Sequence, residues 1–212
     1  LKGFCPSFVS VDAQLQARTT SHKIDGLPDP KHKVSDGVSN IILTGIGGTG
    51  VLTVSAITAM AAHYEGKEST ILDMTGLAQK GGAVWSHIKI YEKNVKTFSH
   101  KIAPASANLF LACDAVVGTK PEIQEVLSDK KTYSIINSDT IPVADFVTNR
   151  DLDFKDDEVL KVIDKTTKDI DITVPAIKIA ENLCGDAIAA NIMMLGAAYQ
   201  LGHVPLNEES IK

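Results

Sequence analysis

The chain is poor in the residue types that hold metal clusters, disulfides or nucleic acid. Its three cysteines, Cys5, Cys113 and Cys184, are an odd number and form no C-x-x-C pair, so neither a zinc site nor a disulfide framework is predicted. Arg18 and Arg150 are its only arginines and the formal net charge is −5. The sequence therefore provides no basic stripe for a nucleic-acid backbone, and we expect no nucleic-acid partner.

Long apolar runs are also absent. No run approaches the roughly 18 residues that a membrane-spanning helix needs, and the start of the chain lacks the charged and apolar segments of a signal peptide. We therefore expect a soluble, cytoplasmic protein with no membrane partner. The 212 residues, 44% hydrophobic and 22% charged, predict one folded domain with a tail. Because Leu1 is not a starting Met, we expect the chain to be a piece of a longer protein.

The first forty residues differ in character from the rest. Residues 12–40 are polar and are interrupted by Gly26, Pro28, Pro30 and Gly37 without a helical or strand period. We therefore divide the chain into residues 1–39, a tail plus linker, and residues 40–212, the domain proper.

From Ile41 onward the pattern is that of an α/β protein. An apolar strand, a glycine turn and a helix that stops at Gly66 precede a second short strand, Ser69–Asp73. A unit of this length is typical of a βαβ crossover with parallel pairing. Val84–Tyr91 alternates apolar and polar residues, which predicts an antiparallel strand with one wet face.

The remaining elements complete a three-layer, Rossmann-like α/β domain with a mixed, mainly parallel sheet. Buried strands are predicted at 108–113 and 133–137, and a helix that Pro121 breaks is predicted at 114–127. The charged segment 151–171 predicts a surface excursion with one short amphipathic helix around Ile163. The chain closes with a strongly apolar helix at 186–201.

The glycine turn G-I-G-G-T-G favours an anion. Gly45 permits the tight turn, Gly47 permits close approach of the backbone, and Gly50 permits close packing of the helix on the strand. The start of the following helix directs free N–H groups into the turn. Asp73, at the end of the next strand, is placed to hold a ribose, so dinucleotide binding is one hypothesis. The alternative is that the glycines serve packing alone.

A second glycine-rich segment follows, T-G-L-A-Q-K-G-G from Thr75 to Gly82. Open α/β sheets bind ligands at the edge formed by the carboxyl ends of their strands. The two turns are therefore predicted to face one cleft at that edge. Lys80 is a candidate ligand, although most exposed lysines only solvate a surface. The candidate binding residues are Gly45, Gly47, Gly48, Thr49, Gly50, Thr75, Lys80, Gly81 and Gly82.

Three segments together carry a resemblance to a known family. They are G-I-G-G-T-G-V-L-T, I-L-D-M-T-G-L-A-Q-K-G-G-A-V-W-S-H-I-K-I and G-D-A-I-A-A-N-I-M-M-L-G-A-A-Y-Q-L-G. From about Asn40 to its end the chain resembles the γ domain of 2-oxoacid:ferredoxin oxidoreductases, especially long single-chain indolepyruvate ferredoxin oxidoreductases. The opening L-K-G-F-C-P-S-F-V resembles the end of the thiamine-diphosphate-binding portion that precedes this domain. Many separate γ subunits have Arg where Lys80 stands, and a lysine is not equivalent at a bidentate site.

The resemblance implies an enzyme that decarboxylates an aryl-2-oxo acid on thiamine diphosphate with magnesium. Electrons would pass through iron–sulfur clusters to ferredoxin, and coenzyme A would take the acyl group. The thiamine and cluster sites would lie mainly in other domains, Cys5 being a cluster ligand only in the intact protein. This chain would have no catalytic or metal-binding residue of its own. It would help to enclose coenzyme A, would be inactive alone, and would have the other domains, ferredoxin and a homo-oligomeric copy as partners.

Two other classes stay open on the residues alone. An NAD-dependent dehydrogenase would use Gly45, Gly47, Gly50 and Asp73, although no histidine has the partner spacing of a catalytic acid or base. An adenylating enzyme of the ubiquitin-activating type would need arginines around the triphosphate, and Arg150 is the only one within the domain. We also expect Trp85 and Leu77 to lie on an exposed apolar surface that partner domains cover.

Overall fold

The computed structural model describes residues 27–33, 37–76, 81–97, 99–139 and 156–212. Four residues that the sequence singled out, Cys5, Leu77, Lys80 and Arg150, lie outside these ranges. The ligand role of Lys80 and the surface role of Leu77 therefore stay predictions.

A six-stranded sheet in the order β2-β3-β1-β4-β5-β6 forms the middle layer. Strand β3 is antiparallel to both its neighbours, whereas β1, β4, β5 and β6 are joined by parallel pairings. The predicted fold class, a mixed and mainly parallel α/β sheet, is confirmed. The strands are β1 Val38–Ile46, β2 Glu68–Thr75, β3 Ala83–Tyr91, β4 Leu109–Ala112, β5 Tyr133–Asn137 and β6 Asp169–Val174.

Alternate residues of the central strands point to opposite faces of the sheet, as the period of a β-strand requires. Ile41 and Leu43 belong to one buried cluster and Ile42 to the other. The first cluster lies beneath α1, α5 and α6, and the second lies beneath α2, α3 and α4, so the domain has three layers. The helices are α1 Val51–Tyr64, α2 Ala115–Gly118, α3 Pro121–Gln124, α4 Asp156–Thr166, α5 Ala176–Cys184, α6 Ala190–Gln200 and α7 Glu208–Ile211.

The predicted parallel pairing of the first βαβ unit is wrong. Strands β1 and β2 point the same way, but β3 lies between them and pairs with both, with Leu43 opposite Ser86 and Asp73 opposite Ser86. The antiparallel direction predicted for β3 is confirmed. Because each strand adds about 4.8 Å across a sheet, β2 is displaced to the edge, about 10 Å from β1.

The second half of the domain contains elements that the sequence did not predict. Pro121 does break the helical segment after β4, since it occupies the first turn of α3 while α2 ends at Gly118. The supposed excursion at 151–171 is wrong in part, because Asp169 starts β6, an edge strand. Helix α5 was also missed, and α6, which corresponds to the helix predicted at 186–201, is preceded by a 3₁₀ turn at Ala187–Ala189.

The polar face of β3 is less exposed to solvent than expected. His87 is buried, and its Nδ1 accepts the N–H of Ile102 at 3.4 Å. Burial, with the nearby charge of Lys101, lowers the pKa of His87 to about 4. Trp85 is half-buried against the second cluster, so only part of its ring is available to a partner.

Residues 27–33 form a strap without regular secondary structure. Its Lys33 N–H donates to Gly202 O at 2.8 Å and its Pro28 carbonyl accepts from Gln200 Nε2 at 2.8 Å, so the strap lies across the end of α6. Strand β1 begins at Val38, just before the predicted domain boundary. The division at residue 39 stays a prediction.

Within the part of the chain that the structure describes, every helix is too short or too polar to span a bilayer.

Candidate functional site

The candidate site lies at the carboxyl edge of the sheet. Helix α1 follows β1 and covers one face, whereas α2 follows the adjacent parallel strand β4 and covers the other. The carboxyl edge at β1 and β4 is therefore the kind of switch point where open α/β sheets bind ligands. The glycine turn after β1 forms one wall of this edge.

The two glycine-rich segments meet directly. The backbone N–H of Gly47 donates to Gly82 O at 2.8 Å, because Ile46 pairs with Ala83 and the antiparallel ladder continues past the strand ends. A Cβ on Gly47 would lie 3.5 Å from that same oxygen. The segments are thus on one sheet edge, as predicted, but the Gly47 N–H is bound within the protein and is not left for a ligand.

The other glycines of the first turn serve different needs. A Cβ on Gly45 would lie 2.4 Å from Val51 Cγ2, so glycine is required there for close packing of α1 on β1. Gly48 and Gly50 have positive φ values of +91° and +86° and open space where a Cβ would stand. Glycine is favoured at these two positions because of the backbone conformation, and not because a side chain would lack space.

Helix α1 starts at the turn with an uncapped N-terminus. Gly50 is the N-cap and supplies no side chain, and no acidic residue lies in the first turn. The first N–H groups of a helix have no partner within the helix, and the helix dipole adds partial positive charge there. The turn therefore presents N–H groups and positive potential to an anion.

A cleft of about 610 Å³ opens in front of this N-terminus. Thr53 and Thr75 supply hydroxyl groups to its wall, while Leu52 and Ile188, which are 43% and 63% exposed, give it an apolar rim. Of the predicted residues, the cleft is lined by Gly47, Gly48, Gly50 and Thr75.

A second cleft of about 280 Å³ lies on the other side of Gly48 and Ile188, which line both. Its lining includes Thr49, residues 186–188, Ala190 and Asn191, from a segment that the sequence patterns did not place at the site. Asn191 Nδ2 donates to the Thr49 carbonyl at 2.7 Å and lies 3.2 Å from the Thr49 hydroxyl. A polar Asn within an otherwise apolar helix was the signal that could have identified it.

The end of β4 contributes buried polar groups with structural partners. Burial raises the pKa of Asp114, although the N–H groups of Val117 and Val116 oppose this effect. Its carboxylate caps α2 by accepting from Val117 N at 2.8 Å. Burial also raises the pKa of the Cys113 thiol, which makes it a core residue and not a nucleophile.

The residues proposed for a dinucleotide do not converge. Asp73 lies on the edge strand, and its carboxylate accepts from Ser55 Oγ at 3.3 Å and from Ser86 Oγ. Because β3 separates β2 from β1, Asp73 stands two strands away from the glycine turn instead of beside it. This geometry weakens the NAD hypothesis. Among the described residues, no three His, Cys, Asp or Glu side chains group as metal ligands.

Comparisons with known proteins agree with this architecture. A family model described as pyruvate ferredoxin/flavodoxin oxidoreductase matches residues 40–212. The indolepyruvate oxidoreductase subunit IorB of Archaeoglobus fulgidus is 28% identical over 174 residues, 82% of either chain. The ketoisovalerate oxidoreductase subunit VorA of Methanothermobacter marburgensis is 28% identical over 190 residues, which cover 90% of this chain but 34% of that one.

Two solved structures share the fold. The pyruvate oxidoreductase subunit PORC of Thermotoga maritima superposes with a TM-score of 0.54 at 22% identity, covering 83% of this chain and 82% of the other. A 2-oxoglutarate:ferredoxin oxidoreductase from Magnetococcus marinus, with 2-oxoglutarate, coenzyme A and succinyl-CoA bound, gives a TM-score of 0.59 at 16% identity. That match covers 84% of this chain and 26% of the other.

Proposed function

This chain belongs to the pyruvate ferredoxin/flavodoxin oxidoreductase family, and from that premise we propose that it is the γ-type part of a 2-oxoacid:ferredoxin oxidoreductase. The proposed reaction is the oxidative decarboxylation of a 2-oxo acid to an acyl-CoA with reduction of ferredoxin. An aryl-2-oxo acid is the proposed substrate, because the IorB relatives are named for indolepyruvate.

The proposed contribution of this chain is to hold the phosphate end of coenzyme A at the glycine turn. The supporting observation is the cleft of about 610 Å³ in front of the uncapped α1, a volume in the usual range of about 300 to 1,000 Å³ for small-molecule sites. The helix N–H groups would bind a phosphate, and Thr53 and Thr75 would add hydroxyl groups. When bound, coenzyme A supplies the thiol that takes the acyl group.

Iron–sulfur clusters do not fit the donors present here. The chain has three cysteines in all, whereas an iron–sulfur cluster usually needs four thiolates. Burial of Cys113 and exposure of Cys184 place these two in different surroundings. We assign the thiamine and the clusters to other parts of the enzyme, and the chain alone is proposed to catalyse no turnover.

The exposed surface of α1 supports the proposal that other domains pack against this one. This helix has no Asp, Glu, Lys or Arg on any side, yet Leu52, Met60 and Tyr64 are exposed at intervals of one or two turns. Exposed apolar patches mark interfaces. In VorA the matching region is 34% of a longer chain, which is consistent with neighbouring domains.

The proposal is tested by titrating coenzyme A into the purified chain by isothermal titration calorimetry, with two variants of one glycine. Gly48→Asp and Gly48→Asn share the strain of a positive φ and have the same open space for a side chain. They differ in charge at the mouth of the cleft. We expect the Asp variant to bind at least about tenfold more weakly than the Asn variant. Two like unit charges about 12 Å apart repel by ~1.4 kcal/mol at an effective dielectric constant of about 20, and a closer approach costs more.

Equal affinities for the two variants, with wild-type binding present, would place the phosphate elsewhere. NADH in place of coenzyme A serves as the second titrant. Saturation with NADH but not with coenzyme A would replace this proposal with the dinucleotide hypothesis.

A further inference from the structure

The Asn191 side chain is buried, with 6% of its surface exposed, at the start of α6. Its amide reaches across 142 positions of sequence to Thr49 in the glycine turn. A side-chain amide has two N–H donors, and the Asn191 NH₂ group meets both the carbonyl and the hydroxyl of Thr49. The Thr49 hydroxyl is itself oriented by donation to Ile46 O at 2.8 Å.

This contact fixes the direction of one peptide group. In a trans peptide the C=O and the following N–H point in opposite directions. The Thr49 carbonyl points to Asn191, on the side of the smaller cleft that both residues line. The N–H of Gly50 therefore points away from Asn191, toward the larger cleft that Gly50 lines.

Gly50 leaves that peptide free to rotate. A flip of this peptide changes only ψ of Thr49 and φ of Gly50. Gly50 has a φ of +86° and open space where a Cβ would stand, and glycine rotates with little steric resistance. A flip of the Thr49–Gly50 peptide would present a carbonyl oxygen to the larger cleft. The turn would then repel the anion that its N–H groups attract.

We propose that Asn191 is a positioning residue that locks the Thr49–Gly50 peptide with its N–H toward the larger cleft and thereby keeps the glycine turn able to bind an anion. This inference rests on the proposed function, since it assigns to the turn the phosphate group of the ligand. The proposal also gives a role to the start of α6, which borders the site.

The test uses sulfate as the probe, because its charge of −2 does not change between pH 4.5 and pH 7.5. The ¹⁵N-labelled 212-residue chain is titrated while the amide signal of Gly50 is followed by NMR. Asn191→Asp keeps the size of the side chain but offers an acceptor to the Thr49 carbonyl at neutral pH. We expect sulfate affinity at pH 7.5 to fall about tenfold, the worth of one hydrogen bond of ~1.4 kcal/mol.

Acidification provides a signature that damage to the fold would not produce. Protonated Asp carries one O–H donor, so the Asn191→Asp variant should regain sulfate binding relative to wild type as the pH falls. Asn207→Asp is the matched control, because Asn207 is exposed at the start of α7 and its side chain caps nothing. This control should follow wild type at every pH.

The outcomes separate the two proposals. Loss at pH 7.5 in both Asn191→Asp and Asn191→Ala, with recovery at low pH in Asn191→Asp, supports the lock, because Ala removes the donor without adding a charge that repels sulfate. Equal sulfate binding by wild type and Asn191→Asp at both pH values overturns the lock and leaves the anion site standing. No shift of Gly50 in wild type overturns the anion site and the lock with it. If Asn191→Asp does not fold, Asn191→Ala removes the donor without adding charge, and unchanged affinity in that variant overturns the lock.

Discussion

Gly118, the last residue of α2, lies against the ring of Phe110 in the middle of β4. A Cβ on Gly118 would stand 2.4 Å from Phe110 Cζ, and Phe110 is fully buried. Gly118→Ala should therefore lower the free energy of unfolding by about 1–3 kcal/mol through overpacking. Urea denaturation followed by circular dichroism measures the change.

Gly196→Ala is the control for this prediction. Gly196 is exposed within α6, and a Cβ added there would meet no atom within 4 Å. Alanine should raise stability there by about 0.5–1 kcal/mol through helix propensity in the isolated chain. If both variants lose stability equally, the ring of Phe110 is not what excludes a larger residue at position 118.

His87 predicts a pH dependence of stability. Burial first, and the charge of Lys101 second, lower its pKa from 6.5 to about 4. Between these values the unfolded chain binds a proton that the folded chain does not. The stabilisation is therefore complete above pH 6.5 and is lost as the pH falls toward 4.

His87→Asn retains an acceptor near the position of Nδ1, which Ile102 N–H uses, but does not titrate. Wild type should lose about 3 kcal/mol more stability than this variant between pH 7 and pH 4. His63→Asn, at an exposed position, is the matched control substitution. Identical profiles for wild type and His87→Asn would show that His87 titrates normally.

The strap at residues 27–33 predicts a protease-sensitive contact. Lys33 Nζ pairs with Asp171 Oδ2 at 3.1 Å, and the same oxygen meets buried His203 Nε2. Asp171→Asn should weaken this attachment and speed tryptic cleavage after Lys31 and Lys33 several-fold, because proteases cut where the backbone opens locally.

Asp169→Asn is the matched change on the same strand, at an exposed position. Mass spectrometry of timed digests identifies the cut sites. Equal cleavage rates in the two variants would mean that the ion pair does not hold the strap.

Local patterns predicted the strands and the glycine turn because their causes are local. Ile41–Leu43 alternates between two cores, and Gly48 and Gly50 adopt backbone angles that other residues avoid. Strand order depends on pairings between distant segments, and the sequence does not show that β3 inserts between β1 and β2. The edge strand β6 was missed although its D-I-D-I-T-V run alternates polar and apolar residues, because the run begins inside the charged segment 151–171, which was interpreted as one surface excursion.

In the candidate site, too, features set by distant pairings could not be predicted. Gly47 was predicted to approach a ligand, but the structure shows its N–H bound to Gly82 O, a pairing set by the register of β1 with β3. The contact between Asn191 and Thr49 spans 142 residues. The polar Asn191 within an apolar helix marks that residue, but no pattern near it identifies Thr49 as its partner.

The central claim, that this chain is a supporting part of a 2-oxoacid:ferredoxin oxidoreductase, is tested most directly by dye reduction. Purified chain is mixed with indolepyruvate, coenzyme A, thiamine diphosphate, magnesium and a viologen dye, with the intact enzyme as positive control. We expect no dye reduction above the blank by the chain alone and rapid reduction by the intact enzyme. Reduction by the isolated chain at a rate comparable to that of the intact enzyme would contradict the claim.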